Sequence, residues 1–201
     1  EKRKIYSFIS ASAIGYYGTT TTDNAIKETA KKGNDFLSNL CDDWEKAADK
    51  FTTEKIARRT VKLRFGVVLS KQSVALQKII TPIKFYLGSA LGNGKQFMPW
   101  IHIDDLCGII RYTIENDKMK DTYNAVAPEH ITNYKFTKTI AQILKKPIFL
   151  PNIPSFIIKL IFGERACILL NGSQVSSKKI QKYGYQFKYL KLDTALKELL
   201  N

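Results

Sequence analysis

The sequence predicts an α/β fold built on a doubly wound parallel sheet, and three observations predict it. Segments 5–10 and 60–69 read as buried strands. An amphipathic helix starts between them at Asp35. Beyond them, strands and helices keep alternating, the pattern of layered α/β proteins. The chain has 201 residues, enough for one well-cored domain and a small appendage. Its 44% hydrophobic and 25% charged residues exclude a disordered or collagen-like chain.

The elements follow in order. An apolar strand at 4–10 runs into a loop that turns on Gly15 and Gly18. Asp35 is an N-cap for a helix with Phe36, Leu37, Leu40, Cys41, Trp44, Ala47, Ala48 and Phe51 in one stripe. In 60–69, Val61, Leu63, Phe65, Val67 and Leu69 alternate on one side, with Arg64 and Gly66 on the other. A helix over 74–87 contains Pro82, and a glycine loop covers 87–95. A strand over 97–103 feeds a helix capped by Asp104 or Asp105. Another strand covers 122–126, and Asn133 caps a helix that stops before Pro147. Composition changes near 148. Residues 1–147 form one unit, and 148–201 a small one with short helices at 155–162, 164–171, 176–183 and 193–200. Only 4–10 and 60–69 look like strands of a parallel central sheet, and two such strands cannot cover their own faces.

Net charge is +14, but the excess is +8 over residues 1–100 and +6 over 101–201, and 26 of the 32 basic residues are Lys. So even a spread reads as a solvated surface; a nucleic-acid or other polyanion site is the alternative. Cys41, Cys107 and Cys167 are odd in number and far apart, which argues against disulfides and fits a reducing, cytoplasmic compartment. The uncharged run 148–158 contains Pro151 and Pro154 and is too short to span a membrane. With only His102 and His130, no metal cluster has ligand spacing.

Two stretches can carry chemistry. In Ser10-Ala-Ser-Ala-Ile-Gly-Tyr-Tyr-Gly18 a strand ends in hydroxyls, and a glycine turn presents Tyr16 and Tyr17. Carboxyl ends of strands border the ligand crevice in doubly wound sheets, which places Ser12 there. The plainer explanation is a strand end with chance serines. In Gly92-Asn-Gly-Lys-Gln-Phe-Met-Pro-Trp-Ile-His-Ile-Asp-Asp-Leu106 the glycines precede a strand, so this is not a dinucleotide phosphate loop. His102, lone on its strand, reads first as a structural residue.

These stretches, with Trp44-Glu45, Leu63-Arg-Phe-Gly-Val-Val-Leu69 and Asn124-Ala-Val-Ala-Pro128, closely resemble one branch of the extended short-chain dehydrogenase/reductases, the NAD-dependent epimerase/dehydratase-like group labelled epimerase family proteins. The resemblance runs from about residue 5 to the end. Its last fifty residues, with Leu150-Pro151, Phe162-Gly163-Glu164 and Gly184-Tyr-Gln-Phe, are similar to that branch's C-terminal domain of unknown function. It implies the C-terminal part of a Rossmann-type sheet that binds NADP or NAD, elements of a substrate subdomain, and a small-molecule substrate. It also implies that a glycine-rich phosphate turn and about four strands precede Glu1, so this piece alone binds dinucleotide poorly and exposes an edge strand.

In the family's mechanism a Tyr exchanges the proton, a Lys supports it and a Ser orients the substrate. Ser12 matches the Ser. The Tyr-x-x-x-Lys positions fall on Leu37 and Cys41, which cannot do that work, so Tyr17 or Tyr16 is the replacement acid. Ser10, Arg64, Phe65, Gly66, Val67 and Val68 match the region bordering the cofactor. Gln96, Trp100 and His102 match the region bordering substrate. The expected function is an NAD(P)-dependent epimerase-like oxidoreductase, possible as a homo-oligomer and without nucleic-acid or membrane partners. The alternatives are a dinucleotide- or partner-binding module without catalysis, and a polyanion binder.

Overall fold

The computed structural model describes residues 5–19, 21–22 and 24–200. The expected strand start at residue 4 lies outside them. The strands are β1 (Ile5–Ala13), β2 (Ala57–Phe65), β3 (Val67–Leu69), β4 (Trp100–His102) and β5 (Asp121–Ala125). The helices are α1 (Phe36–Thr53), α2 (Val74–Lys84), α3 (Ile103–Glu115), α4 (Asn133–Ile143), α5 (Ser155–Phe162), α6 (Ala166–Leu170), α7 (Lys178–Lys182) and α8 (Leu192–Leu200). A 3₁₀ turn, Ile14–Tyr17, follows β1. Among the described residues no helix is long and apolar enough to cross a membrane.

All pairings within the two sheets are parallel. One sheet has the order β1-β2-β5, and β3 pairs with β4 in a second, two-stranded sheet. The expected two parallel strands are therefore five. The expected strand 97–103 is β4, shortened to Trp100–His102, and the expected strand 122–126 is β5, Asp121–Ala125; what the sequence did not show is that both pair in parallel with the segment 57–69.

The expected continuous strand 60–69 breaks at Gly66. A Cβ there would lie 2.6 Å from the Pro99 carbonyl oxygen, so only glycine lets the two backbones approach. The Gly66 N–H still donates to Ala125 O at 3.2 Å, whereas the Val67 N–H donates to Pro99 O at 2.8 Å. The chain thus changes neighbours, and its alternation slips. Val61 and Leu63 pack with Ile101, Leu106, Ile109 and Tyr123 under α3. Leu69 packs instead with Trp100, Leu76, Ile80 and Phe136 in a core shared by α2, α4 and α8. Ile180 and Phe187 complete the first core, and Leu192, Ala195 and Leu196 the second.

Helix caps follow local chemistry, with two corrections. Asp35 caps α1 as expected, its Oδ1 accepting from the Ser38 N–H at 2.9 Å. The cap of α3 is His102, not Asp104 or Asp105: its Nδ1 accepts from the Asp104 N–H at 3.1 Å. The Asp105 carboxylate is turned inward, accepting from the N–H groups of Lys188 and Tyr189 at 2.7 and 2.9 Å. The cap of α4 is Thr132, one residue before the expected Asn133. Pro82 sits inside the last turns of α2, which ends at Lys84.

The single stripe expected on α1 is also corrected. Cys41 and Ala48 are buried, but Phe36, Leu40 and Trp44 form an outward row, Phe36 at 77% exposure. The buried face instead carries Glu45, for a reason given below.

Asp35 yields a stability prediction. Burial alone would raise its carboxyl, but hydrogen bonds from Ser38 and Thr19 outweigh that and hold its pKa below the ordinary value. A depressed folded value stabilises fully above the unfolded pKa of about 3.9 and is lost as pH falls through the folded value. Asp35→Ala should lower unfolding stability by about 1 kcal/mol at pH 7 in a urea titration. The difference from the parent should vanish at low pH; a difference that persists unchanged there would refute the cap's contribution.

Candidate functional site

Register builds the site. Ser12 pairs with Arg64 across β1 and β2, and Arg64 with Asn124 across β2 and β5. Three side chains from three strands therefore stand in one row on the same face. That face looks towards α1, and the opposite face is the apolar one under α3. This explains why these parallel strands alternate, although strands buried on both faces usually read as continuous apolar runs.

The polar face is satisfied by α1. Glu45 and Arg64 form a bidentate pair, with Nε to Oε1 at 2.7 Å and Nη2 to Oε2 at 2.8 Å, and both residues are buried. One helical turn on, Asp49 takes Lys62 at 2.6 and 2.7 Å. Next, the hydroxyls of Thr52 and Thr60 meet at 2.6 Å. Four helical residues rise about 6 Å, and two strand residues about 6.6 Å. The two spacings match, so α1 zips antiparallel along β2.

Around Arg64 the network closes. Ser12 Oγ donates to Glu45 Oε1 at 2.7 Å. Arg64 Nη1 donates to the Tyr17 hydroxyl at 2.9 Å, which itself donates to Asn124 Oδ1 at 2.6 Å. Asn124 continues it, with Nδ2 donating to Ser176 O at 3.1 Å and its N–H to Glu28 Oε1 at 3.0 Å. The Tyr16 ring lies 3.4 Å from the guanidinium carbon, a close cation–π contact. Burial alone would lower the Arg64 pKa, but Glu45 and Tyr17 outweigh it and raise it, so Arg64 stays charged. Burial is also the main cause that pushes Tyr17 up to about 12, so at neutral pH it is a protonated phenol.

The sequence-predicted residues thus divide. Ser12, Tyr16, Tyr17 and Arg64 come together at the strand ends. Ser10, one row earlier, is buried and donates to Ala11 O at 3.2 Å. Phe65 is half-buried, and Gly66, Val67 and Val68 carry the chain on past the end of β2. The other three lie elsewhere. Gln96 is buried, with Nε2 donating to Leu91 O and Leu169 O at 3.1 and 2.9 Å. Trp100 is fully buried in the core shared by α2, α4 and α8. His102 Nε2 lies 3.1 Å from Glu198 Oε2, and its ring centroid is 3.9 Å from that of Tyr189, with the planes tilted by 33°.

Leu37 and Cys41 stand beside the end of β1, each 3.7 Å from where a Gly15 Cβ would be. Burial pushes the Cys41 thiol up, so it is a neutral thiol rather than a nucleophile. Sequence reasoning missed Glu45, Asn124 and Glu28 as members of the network. A signal for Glu45 was present: it follows Cys41 by four residues and precedes Ala48 by three, an acid on the helix face that had to be buried. Among the described residues, no cluster of three or more His, Cys, Asp or Glu could hold a metal ion.

The network makes a prediction with a pH signature. Tyr17→Phe strips Asn124 Oδ1 and Arg64 Nη1 of their hydroxyl partner and should lower stability by about 1–3 kcal/mol at pH 7. A phenol raised in the folded state stabilises fully below its unfolded pKa of about 10, and that is lost as pH climbs towards about 12. The parent should therefore lose stability over this alkaline window more steeply than Tyr17→Phe. Equal slopes in urea titrations would contradict the burial of this hydroxyl.

Comparison with known proteins agrees with this architecture. Residues 153–199 match the family described as Domain of unknown function (DUF1731). The chain is 36% identical over 200 residues to epimerase family protein YfhF of Bacillus subtilis (strain 168), covering 100% of the chain and 65% of that protein. It is 35% identical over 195 residues to epimerase family protein SDR39U1 of Mus musculus, covering 96% of the chain and 65% of that protein. The crystal structure of human epimerase family protein SDR39U1 (isoform 2) with NADPH superposes with a TM-score of 0.86 at 34% identity, over 96% of this chain and 64% of that one. The nucleoside-diphosphate sugar epimerase from Corynebacterium glutamicum gives 0.76 at 28% identity, over 96% of this chain and 37% of that one. The chain spans 65% of the length of the first two relatives. Over its whole length, then, this chain is a homologue of the epimerase family proteins, and it carries a C-terminal domain of unknown function on a Rossmann-like parallel sheet.

Proposed function

We propose that this chain is part of an NAD(P)-dependent, epimerase-like oxidoreductase acting on a small-molecule substrate. The observation that supports it most is the fit of 96% of the chain, at 34% identity, onto a relative whose crystal structure contains NADPH. The residues here suit the nicotinamide end of such a cofactor. Leu37 and Cys41 give an apolar wall beside the end of β1, and Phe65 to Val68 continue from the end of β2. A glycine-rich turn between a strand and a helix, which grips a pyrophosphate, is not found among the described residues. The proposal therefore assigns this chain the ring end of the cofactor and not its phosphates. When bound, the cofactor supplies hydride transfer.

The chain's own contribution is positional and acid–base. The Arg64–Glu45 pair holds Ser12 and Tyr17 in fixed places at the strand ends. Tyr17 has its hydroxyl occupied on both sides, by Arg64 and Asn124. Tyr16 is half-buried, and its hydroxyl makes no hydrogen bond among the described residues. Of the two phenols, Tyr16 is the one free to exchange a proton with a substrate hydroxyl at its Oη. Tyr17 is then a positioning residue.

The test is a titration of the intact protein with NADPH and NADH, followed by turnover on a panel of carbonyl compounds. Saturable cofactor binding is expected, and Tyr16→Phe should lower any turnover found by about 10²–10⁴-fold with cofactor affinity unchanged. Binding with no turnover on any substrate would leave a cofactor-holding module and overturn the catalytic part of the proposal. Binding of neither nucleotide would sink the proposal.

A further inference from the structure

A cavity of about 580 Å³ lies between α4 and the segment that follows it, and it shares no residue with the Arg64 network. One face of α4 lines it, through Tyr134, Lys138, Ala141 and Gln142, and Lys145 and Lys146 close the end. Tyr134, Lys138, Ala141 and Gln142 recur at helical spacing on one face of α4, and Lys145 and Lys146 lie in the turn that ends it. No carboxylate lines the cavity. Lys135 on the same helix reaches Glu129 at 3.7 Å, but Lys138, Lys145 and Lys146 make no ion pair among the described residues. Lys146 instead donates to the Tyr86 hydroxyl at 2.9 Å. The rest of the lining is mixed, with Ala90, Pro147, Ile148 and Leu150 beside Thr137 and Asn152.

A simpler explanation covers part of this. Lysines at a helix C-terminus complement its dipole, which accounts for Lys145 and Lys146. It does not account for Lys138, more than a turn earlier and facing the same space. Lys145 has φ 53°, the left-handed conformation that often ends a helix, as Lys55 does after α1 at φ 58°, and the Lys146 N–H donates to Ala141 O at 2.9 Å to complete that turn.

We propose that this cavity is a binding site for a phosphomonoester that carries an aromatic or apolar group. Lys138 and Lys145 take the dianion, Lys146 joins them by leaving Tyr86, and the Ile148–Leu150 side takes the apolar part, with Tyr134 beside it. A few charged and polar groups set among apolar side chains is the usual make-up of a small-molecule site. The inference does not depend on the cofactor assignment.

Isothermal titration of the whole chain with phenyl phosphate and with inorganic phosphate tests it. One site is expected, about tenfold tighter for phenyl phosphate. Lys138→Gln combined with Lys145→Gly should weaken both ligands by about tenfold or more. Lys145→Gly alone should leave thermal stability equal or higher, since glycine accepts this φ freely, while still weakening binding; loss of binding then cannot be loss of fold. Lys118→Gln with Lys120→Gln, the same change of charge outside the cavity, should change nothing. Failure to saturate by about 10 mM phenyl phosphate, or an equal loss in the control pair, overturns the proposal.

Discussion

The buried pair between Glu45 and Arg64 is the constraint on which the rest of this structure depends. A charged guanidinium 3% exposed is tolerable only with a partner of matching shape, and the carboxylate supplies two parallel bonds. Once that pair is fixed, the next turn of α1 falls opposite Lys62 and the next opposite Thr60. The helix is then held in direction and in register along β2. Register of β2 against β1 and β5 follows, because a slip of one residue would send Ser12 and Asn124 to the apolar face. The strand ends, the tyrosine turn and the docking of α1 are consequences of one electrostatic fit. Buried pairs are costly to desolvate, so such a pair is better understood as specifying the arrangement than as adding stability.

On the apolar face of the sheet so registered, a close backbone approach divides the core. At Gly66 the backbone of β2 must pass within reach of Pro99, and the chain leaves one sheet for the other. Two cores are separated there, one beneath α3 and one among α2, α4 and α8, while Tyr17, Val126 and Val175 form a further cluster at the tyrosine turn. The last quarter of the sequence supplies residues to both, so the C-terminal helices close the cores rather than sit apart from them. The tyrosine turn and Gly66 flank the same row of strand ends, which is how a segment near residue 15 and another near residue 66 come to serve one site.

Much of this was legible in the residues. Alternation revealed β1 and β2, and helical spacing with Asp35 revealed α1, because those signals are local. The family resemblance was legible from ordered motifs. What was not legible depended on tertiary partners. Val67 and Leu69 continued the alternation of Leu63 in the sequence, and only the approach of Pro99 moved them to another core. Phe36, Leu40 and Trp44 looked like core and face outward, because the inward face was reserved for Glu45. His102 became a cap because a ring nitrogen can do what the flanking aspartates were expected to do. Gln96 and Trp100 stand near the site in the family motif and away from the Arg64 network in space.

The most direct test is a double-mutant cycle on Glu45→Gln and Arg64→Met, measured by urea unfolding. Each single change leaves a buried polar or charged group without its partner and is predicted to lower stability by about 3–5 kcal/mol. The double mutant is predicted to lose less than the sum, by about 2 kcal/mol or more. Additivity within about 0.5 kcal/mol would mean that the two residues act independently, and the account of a fold registered by this pair would be wrong.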